Sequence, residues 1–491
     1  MFKHGIFSSD VPTSIVPPAQ TSAGMPVVFG TAPIHLAGSI GENGCGPTNV
    51  PVLANVYGDV VTSLGYSDDW KKYTLCEFMY SHFQLFNVAP VVFVNVLDPA
   101  KHSKALKDQA VTLALGNGTI GSVSLGTDVI LSSIVIKLTQ AGQPLALGTD
   151  YTTAYDASGN AVITRMKNGA IANDTATLSV SFTQLDPTMV TSADIIGGVD
   201  AATGKLSGLE LINQVFPRFR MPPGQLVAPH WSTRPEVAAV MEAKAAAING
   251  VFKCIALCDA PTDTLRKYQD VPAWKNQNNY VFNRQTLCWP RVKLGSRIFH
   301  MSTQQAGLNC LVDSTNDDVP YESGSNKNLQ MDGLCLEDGT EVILDLTMAN
   351  YLNSQGITTA LNFIGGWRLW GNMTAAFPAS TDPKDAFLCI RRMFDWQANT
   401  FLLTYWQKLD KPLNRVLVET FVNSENLRLN GLTARGFLLG GRMKLLETEN
   451  PVTDLMNGTI RFHTYMTPPT PAQDIEDQLE FDPQYLKTLF G

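Results

Sequence analysis

Apolar positions arrive in short dense runs early in the chain and in helical stripes later. Val27, Val28 and Phe29 fill the middle of residues 25–33, and Val91, Val92, Phe93 and Val94 fill residues 91–96. Residues 253–261 form a third run, with Cys254 and Cys258 on one face. Near-continuous apolar strands of this kind belong in sheets covered on both faces. Helical stripes lie between them. Trp70, Tyr73, Cys76, Tyr80 and Phe83 share one helix face, with Asp68 or Asp69 as its cap. Residues 235–248 form a strong helix with Pro235 in the first turn. Helix followed by strand at this spacing is half of a βαβ unit.

Composition changes in the middle. Residues 105–187 are rich in Thr, Ser, Gly, Val and Ile and carry no helical stripe. Strands are expected at residues 129–138 and 176–182, and Asp156-Ala-Ser-Gly-Asn160 reads as a hairpin turn. This block is expected to be an inserted, sandwich-like all-β domain. Two helices follow within residues 385–432, the second starting near Pro412 and burying Val416, Leu417, Thr420 and Phe421. Antiparallel strands come next, with Asn457-Gly458 as a tight hairpin turn.

The two ends read differently from the body. Residues 1–24 are rich in Pro, Ser, Thr and Gly, with Ile6, Phe7, Val11 and Ile15 as scattered sticky points of an extended arm. At the other end Ile475, Leu479 and Phe481 fall on one face at period two, and Glu476, Gln478, Glu480 and Asp482 on the other, with Asp477 breaking the apolar face once. Pro468, Pro469 and Pro471 hold the preceding spacer extended. A two-faced strand on a stiff tether cannot bury its apolar side alone; an open sheet edge, its own or a neighbour's, is the simplest partner.

The length of 491 residues allows about three domains. The expected division is 1–24 arm, 25–104 first part of an α/β core, 105–187 insertion, 188–384 second part of the core, 385–467 an α+β C-terminal domain, and 468–491 arm. A net charge of −8 argues against a broad nucleic-acid surface. No apolar stretch is long enough for a bilayer, and residues 1–12 lack a secretory h-region. The eight cysteines form no Cys-x-x-Cys pair and read as reduced core thiols.

Candidate chemistry is sparse. No phosphate loop, dinucleotide fingerprint, paired-histidine zinc helix or Gly-x-Ser-x-Gly elbow occurs, and the seven histidines are isolated. No catalytic, cofactor-binding or metal-ligating residue is therefore assigned. Arg428, Arg435, Arg442 and Lys444 form a late basic group, read either as a solvated rim or as a patch that grips an acidic partner weakly in each copy and strongly in many.

Several stretches resemble the tail sheath proteins of contractile bacteriophages. They are Val27-Val-Phe-Gly-Thr-Ala-Pro33, residues 199–210, Pro223-Gly-Gln-Leu-Val-Ala-Pro229, Leu257-Cys-Asp-Ala-Pro261, residues 359–371, and Ile390-Arg-Arg-Met-Phe394. The resemblance covers residues 25–104 and from about 195 onward, and leaves 105–187 uncovered apart from an expected outward position. It implies a subtilisin-like α/β layer, though no Gly-Thr-Ser nucleophile context accompanies it. It also implies a virion subunit that assembles in the host bacterial cytoplasm as stacked six-fold rings around an inner tube. Both arms would then be woven into neighbours. The implied partners are further copies, the inner tail tube protein (met by the late basic group), and baseplate and tail-terminator proteins, without nucleic acid or membrane insertion. A tailocin or other contractile injection system fits the same pattern. Readings from other classes are a hydrolase on the α/β core and a receptor-binding surface protein.

Overall fold

The computed structural model describes residues 23–38, 41, 44–115 and 120–490. The N-terminal positions Ile6, Phe7, Val11 and Ile15 lie outside the described residues.

An eight-stranded sheet organises the body. Its strands are β1 (Pro26–Gly30), β2 (Pro51–Ala54), β3 (Val91–Asn95), β4 (Gln225–Val227), β5 (Ile255–Asp259), β6 (Gln285–Cys288), β7 (Ile357–Phe363) and β8 (Gly366–Trp370). They lie in the order β2-β3-β1-β4-β5-β6-β7-β8. The inner six are parallel, and β2 and β8 close the two edges antiparallel. Val27, Val28, Phe29 and Val91 to Val94 are fully buried, as strands covered on both faces must be. Helix α1 (Pro235–Ala246) packs on β5, and α2 (Met301–Ser314) packs on β4, β5 and β6. Pro235 starts α1, where its missing N–H costs nothing. The layer between α2 and the sheet is partly polar. Gln305 Oε1 accepts from Thr286 Oγ1 at 3.3 Å and from Cys288 Sγ at 3.1 Å.

The stripe beginning at Trp70 does not make one regular helix. The α-helix spans Thr74–Met79 and opens into wide i→i+5 turns over Tyr80–Leu85. These turns carry His82 and Phe83 into contact with Phe78 and Phe93. Periodicity alone does not report such a widening.

Between β3 and β4 the chain leaves the sheet. Strands Ser103–Thr112 and Thr177–Leu185 pair antiparallel, and Val135–Lys137 adds to the latter. Ala114–Leu115, Gly121–Ser124, Ala161–Arg165 and Tyr151–Tyr155 form a second sheet, closed by the hairpin at Asp156–Asn160. Residues of both sheets share one apolar cluster that includes Ile136, Val180, Tyr151 and Ile163. Exit and return are adjacent, since Asp186 N donates to His102 O at 2.8 Å. Asp128 ties this unit to the body, accepting from Tyr73 Oη at 2.6 Å and Lys72 Nζ at 3.0 Å.

The last layer contains α3 (Leu388–Tyr405), α4 (Arg415–Ala434) and a ribbon of β9 (Gly440–Leu445) and β10 (Phe462–Thr467). Helix α4 starts at Arg415 rather than near Pro412, because the Asn414 side chain accepts from Leu417 N at 2.9 Å and caps it. Val416 is 70% exposed and Leu417, Thr420 and Phe421 are only half-buried; the buried face of α4 begins at Ser424 and continues through Glu425, Leu429 and Leu432. Asn457-Gly458 is not a hairpin turn. It ends a short helix, Val452–Met456, with Gly458 at φ 75°.

Two glycines test this packing. A Cβ on Gly307 in α2 would lie 2.4 Å from the buried Phe86 ring, whereas one on Gly431 in α4 meets nothing within 4 Å. Overpacking costs ~1–3 kcal/mol, more than the ~1 kcal/mol gained by removing a helical glycine. Gly307→Ala should therefore lower urea stability, and Gly431→Ala should raise it by ~0.5–1 kcal/mol.

Candidate assembly surface

The ribbon β9–β10 has two edges in different states. Asn426 on α4 takes both backbone groups of Met443: its Oδ1 accepts from Met443 N at 2.7 Å, and its Nδ2 donates to Met443 O at 3.1 Å. Those groups therefore point away from β10. Met443 is in register with Thr464, so by antiparallel alternation the backbone groups of Thr464, and of Phe462 and Met466 two residues to either side, also point outward. Among the described residues none of these three has a backbone partner beyond the ribbon. The β9 edge is thus capped at Met443 by a side chain and lies against α4, whereas the edge of β10 is open among the described residues.

The open edge borders a groove of about 610 Å3. Phe394, Phe401, Phe462 and Met466 supply apolar walls, and Lys253, Lys384, Arg284 and Arg391 line its cationic part. Arg284 and Arg391 are both held by Asp395, at 2.8 and 3.0 Å. The Lys253 ammonium has no carboxylate partner among the described residues. The groove therefore fits an extended segment with apolar and acidic residues.

The C-terminal segment has that composition and no partner in its own chain. Ile475, Leu479 and Phe481 are 85%, 90% and 76% exposed, and no strand forms between residues 468 and 482. Beyond it, Pro483–Phe490 forms a 3-10 helix with Tyr485 and Leu489 exposed, an element the spacing did not reveal.

The basic group divides in two. Arg428 is turned inward and is not available to a partner. Its Nη2 lies 2.6 Å from Glu425 Oε1 and also meets Gln397 Oε1, and its guanidinium sits over Trp396 at 5.4 Å. Glu425 is 1% exposed and further accepts from Gln397 Nε2 at 2.6 Å and Tyr405 Oη at 3.3 Å. Burial of so many donors around one carboxylate explains why Arg428 cannot be a surface grip. Arg442 and Lys444 lie on the exposed face of β9, with Arg442 over Tyr465 at 4.9 Å. Arg435 is exposed and pairs with Asp317 at 3.0 Å.

A second polar constellation lies at the C-terminal ends of the sheet strands, beside the point where strand order reverses between β1 and β4. Asp259 Oδ2 accepts from Ser302 Oγ at 2.5 Å, and His300 Nδ1 lies 2.8 Å from Glu77 Oε2. Burial raises the Asp259 carboxyl above its ordinary range, whereas burial is overcome at Glu77 by His300, which holds it low. Ser302, Asp259, His300 and Glu77 are 0%, 4%, 4% and 3% exposed. The imidazole is engaged with Glu77, and the buried serine donates to a carboxylate. Among the described residues no group of three His, Cys, Asp or Glu side chains is placed to hold a metal, and no helix is long and apolar enough to cross a membrane.

The chain is 30% identical over 503 residues to the tail sheath protein of Burkholderia phage BcepMu, covering 100% of this chain and 99% of that one. It matches no family model. Its fold is shared with the sheath of an extracellular contractile injection system, PVC, in the contracted state (TM-score 0.57, 12% identity, 99% of each chain). It is likewise shared with the contracted helical sheath of the anti-feeding prophage (TM-score 0.56, 12% identity, 98% of this chain and 99% of that one).

The inward and outward cations behave differently under substitution. Glu425→Ala leaves a buried guanidinium without its anion and should cost about 3–5 kcal/mol in urea unfolding. Arg442→Ala should change stability by only ~0–0.5 kcal/mol.

Proposed function

The chain belongs to the family of phage tail sheath proteins, and from that premise we propose that it is the structural subunit of a contractile sheath, polymerising around an inner tube and driving it through a bacterial envelope. The observation that carries this reading is the open edge of β10 beside a groove suited to an acidic, apolar strand. In this reading the segment from Ile475 to Asp482 of one copy pairs with β10 of the next. Ile475, Leu479 and Phe481 then face apolar walls, and the neighbouring carboxylates meet the cationic part of the groove. The contact is head-to-tail. Repeated without closure it generates a helical filament; closed in rings of six and stacked, it generates a cylinder.

Strand pairing of this kind survives rotation of the bodies, because the main-chain bonds sit on a tether. Contraction is then a rigid-body change between two packings, the extended one trapped during assembly. If contraction buries an additional ~100–200 Å2 of apolar surface per subunit, the gain is ~2.5–5 kcal/mol each, which suffices in many copies without nucleotide. Arg442 and Lys444, exposed on β9, are the basic residues placed to meet a tube. Six inner parallel strands support the reading of the core as a subtilisin-like layer, and the adjacent ends of residues 105–187 support its reading as an outward insertion. The sealed position of Ser302 supports a structural rather than a hydrolytic role.

Deletion of residues 472–491 tests the arm. Purified full-length protein should form striated hollow cylinders in negative stain, and the deletion variant should form short or no cylinders, or cylinders that separate on contraction. Cylinders of normal length that stay joined after contraction would show that the arm is dispensable.

A further inference from the structure

The point where the N-terminal arm enters the body is held by three elements at once. Gly24 O accepts from Gln225 Nε2 on β4 at 2.8 Å and from Cys310 Sγ on α2 at 2.9 Å. Gln225 is fully buried and is itself held by Asn309 Nδ2, 2.9 Å from its Oε1. Ala23 O receives Arg392 Nη2 from α3 at 3.4 Å. The same guanidinium grips Asp313 of α2 with both prongs, Nη1 to Oδ1 at 3.1 Å and Nη2 to Oδ2. Arg392 and Asp313 are 5% and 1% exposed. The seat is close-fitting: a Cβ on Gly24 would stand 2.9 Å from the Asp313 carboxylate and 3.2 Å from Cys310 Sγ, and one on Gly224 would stand 2.0 Å from Ala23 O.

A buried ion pair is a weak source of net stability compared with apolar packing of the same volume, but a bidentate guanidinium is strongly directional. Direction matters here, because the residues it touches lie immediately before β1, which sits between β3 and β4 in the middle of the sheet. Any tension along the arm without this seat falls first on the start of β1, where Pro26 pairs with Gln225 of β4 one residue before the β3 ladder begins at Val27↔Val92. We propose that Arg392 is a positioning residue that clasps the arm root to α2 and α3. A pull on the arm then turns the sheet and the last helical layer together instead of peeling β1 from β4. The mechanical consequence rests on the proposed sheath function and on the N-terminal arm, like the C-terminal one, being woven into a neighbouring copy; the clasp itself does not.

Arg392→Lys separates the two. A lysine keeps a cation opposite Asp313 but cannot span both the carboxylate and Ala23 O. In native-state hydrogen exchange on the full-length, unassembled chain, amides from Ala23 to Gly30 should exchange at least tenfold faster in the variant, with α1, β5 and β6 unchanged. Gly24→Ala, which displaces the root while leaving both charges in place, should give the same local signature. Unchanged exchange at residues 23–30 in both variants, or a rise spread evenly over the body, would overturn the clasp. In assembled cylinders of Arg392→Lys, contraction should produce fragments less than half the wild-type length, and contracted cylinders of full length would overturn its mechanical role. A wild-type chain that forms no cylinders would instead count against the arm exchange, and hydrogen exchange would still decide the clasp.

Discussion

An unpaired strand edge is the constraint around which the rest of this molecule is arranged. Backbone donors and acceptors beside an apolar wall need partners, and an open edge recruits them from whatever chain is nearby. Here the opposite edge of the same ribbon is capped at Met443 by Asn426 and lies against α4, which leaves the edge of β10 to recruit. Its own tail is poorly placed to answer. Thr467 ends β10, and the next four residues include Pro468, Pro469 and Pro471, which resist the tight reversal that an antiparallel return needs. Among the described residues the tail thus has no partner and the edge of β10 has no strand, and in the proposed reading a second copy satisfies both.

Rigidity behind the ribbon makes that exchange mechanically useful. Glu425 binds α4 to α3 through Gln397 and Tyr405, Arg428 adds its own contact to Gln397, and Asp395 binds α3 to the sheet through Arg284. Asn399 adds a further tie, donating to Lys253 O at 2.8 Å. The Glu425 contacts to Gln397 and Tyr405 are buried and the others partly so, and loss of a buried partner is expensive. A layer so fixed passes a displacement of its ribbon to the whole body, which is what a sheath subunit needs and a loosely hinged domain cannot provide. The inserted unit is joined more simply, through the Asp128 contacts and its paired entry and exit strands, and it lies outside this chain of ties.

Much of the body was legible because burial on both faces writes itself as unbroken apolar runs. Val27 to Phe29, Val91 to Val94 and Ile255 to Asp259 are strands where the runs stand, and Pro235 opens its helix. The tail's alternation reads as a strand, yet residues 468–482 form none in the structure and Ile475, Leu479 and Phe481 stay exposed. What failed depended on side-chain partners and local geometry that the apolar pattern does not record. Arg428 looked like a surface cation because Glu425 and Gln397, which bury it, come from its own preceding turn and from another helix. Asn457-Gly458 has the dipeptide of a hairpin but caps a helix, since positive φ serves both. The side-chain cap that distinguishes the two ribbon edges left no trace in the pattern, because a single Asn on a helix is ordinarily a solvated residue.

Covalent capture of the exchanged strand tests the central claim most directly. With Leu479→Cys in the tail and Thr464→Cys on β10, oxidation of assembled cylinders should produce a ladder of covalent multimers, before and after contraction alike. Oxidised chains that remain monomers in an assembled cylinder would contradict it, because each tail would then be lying on its own body or on nothing at all.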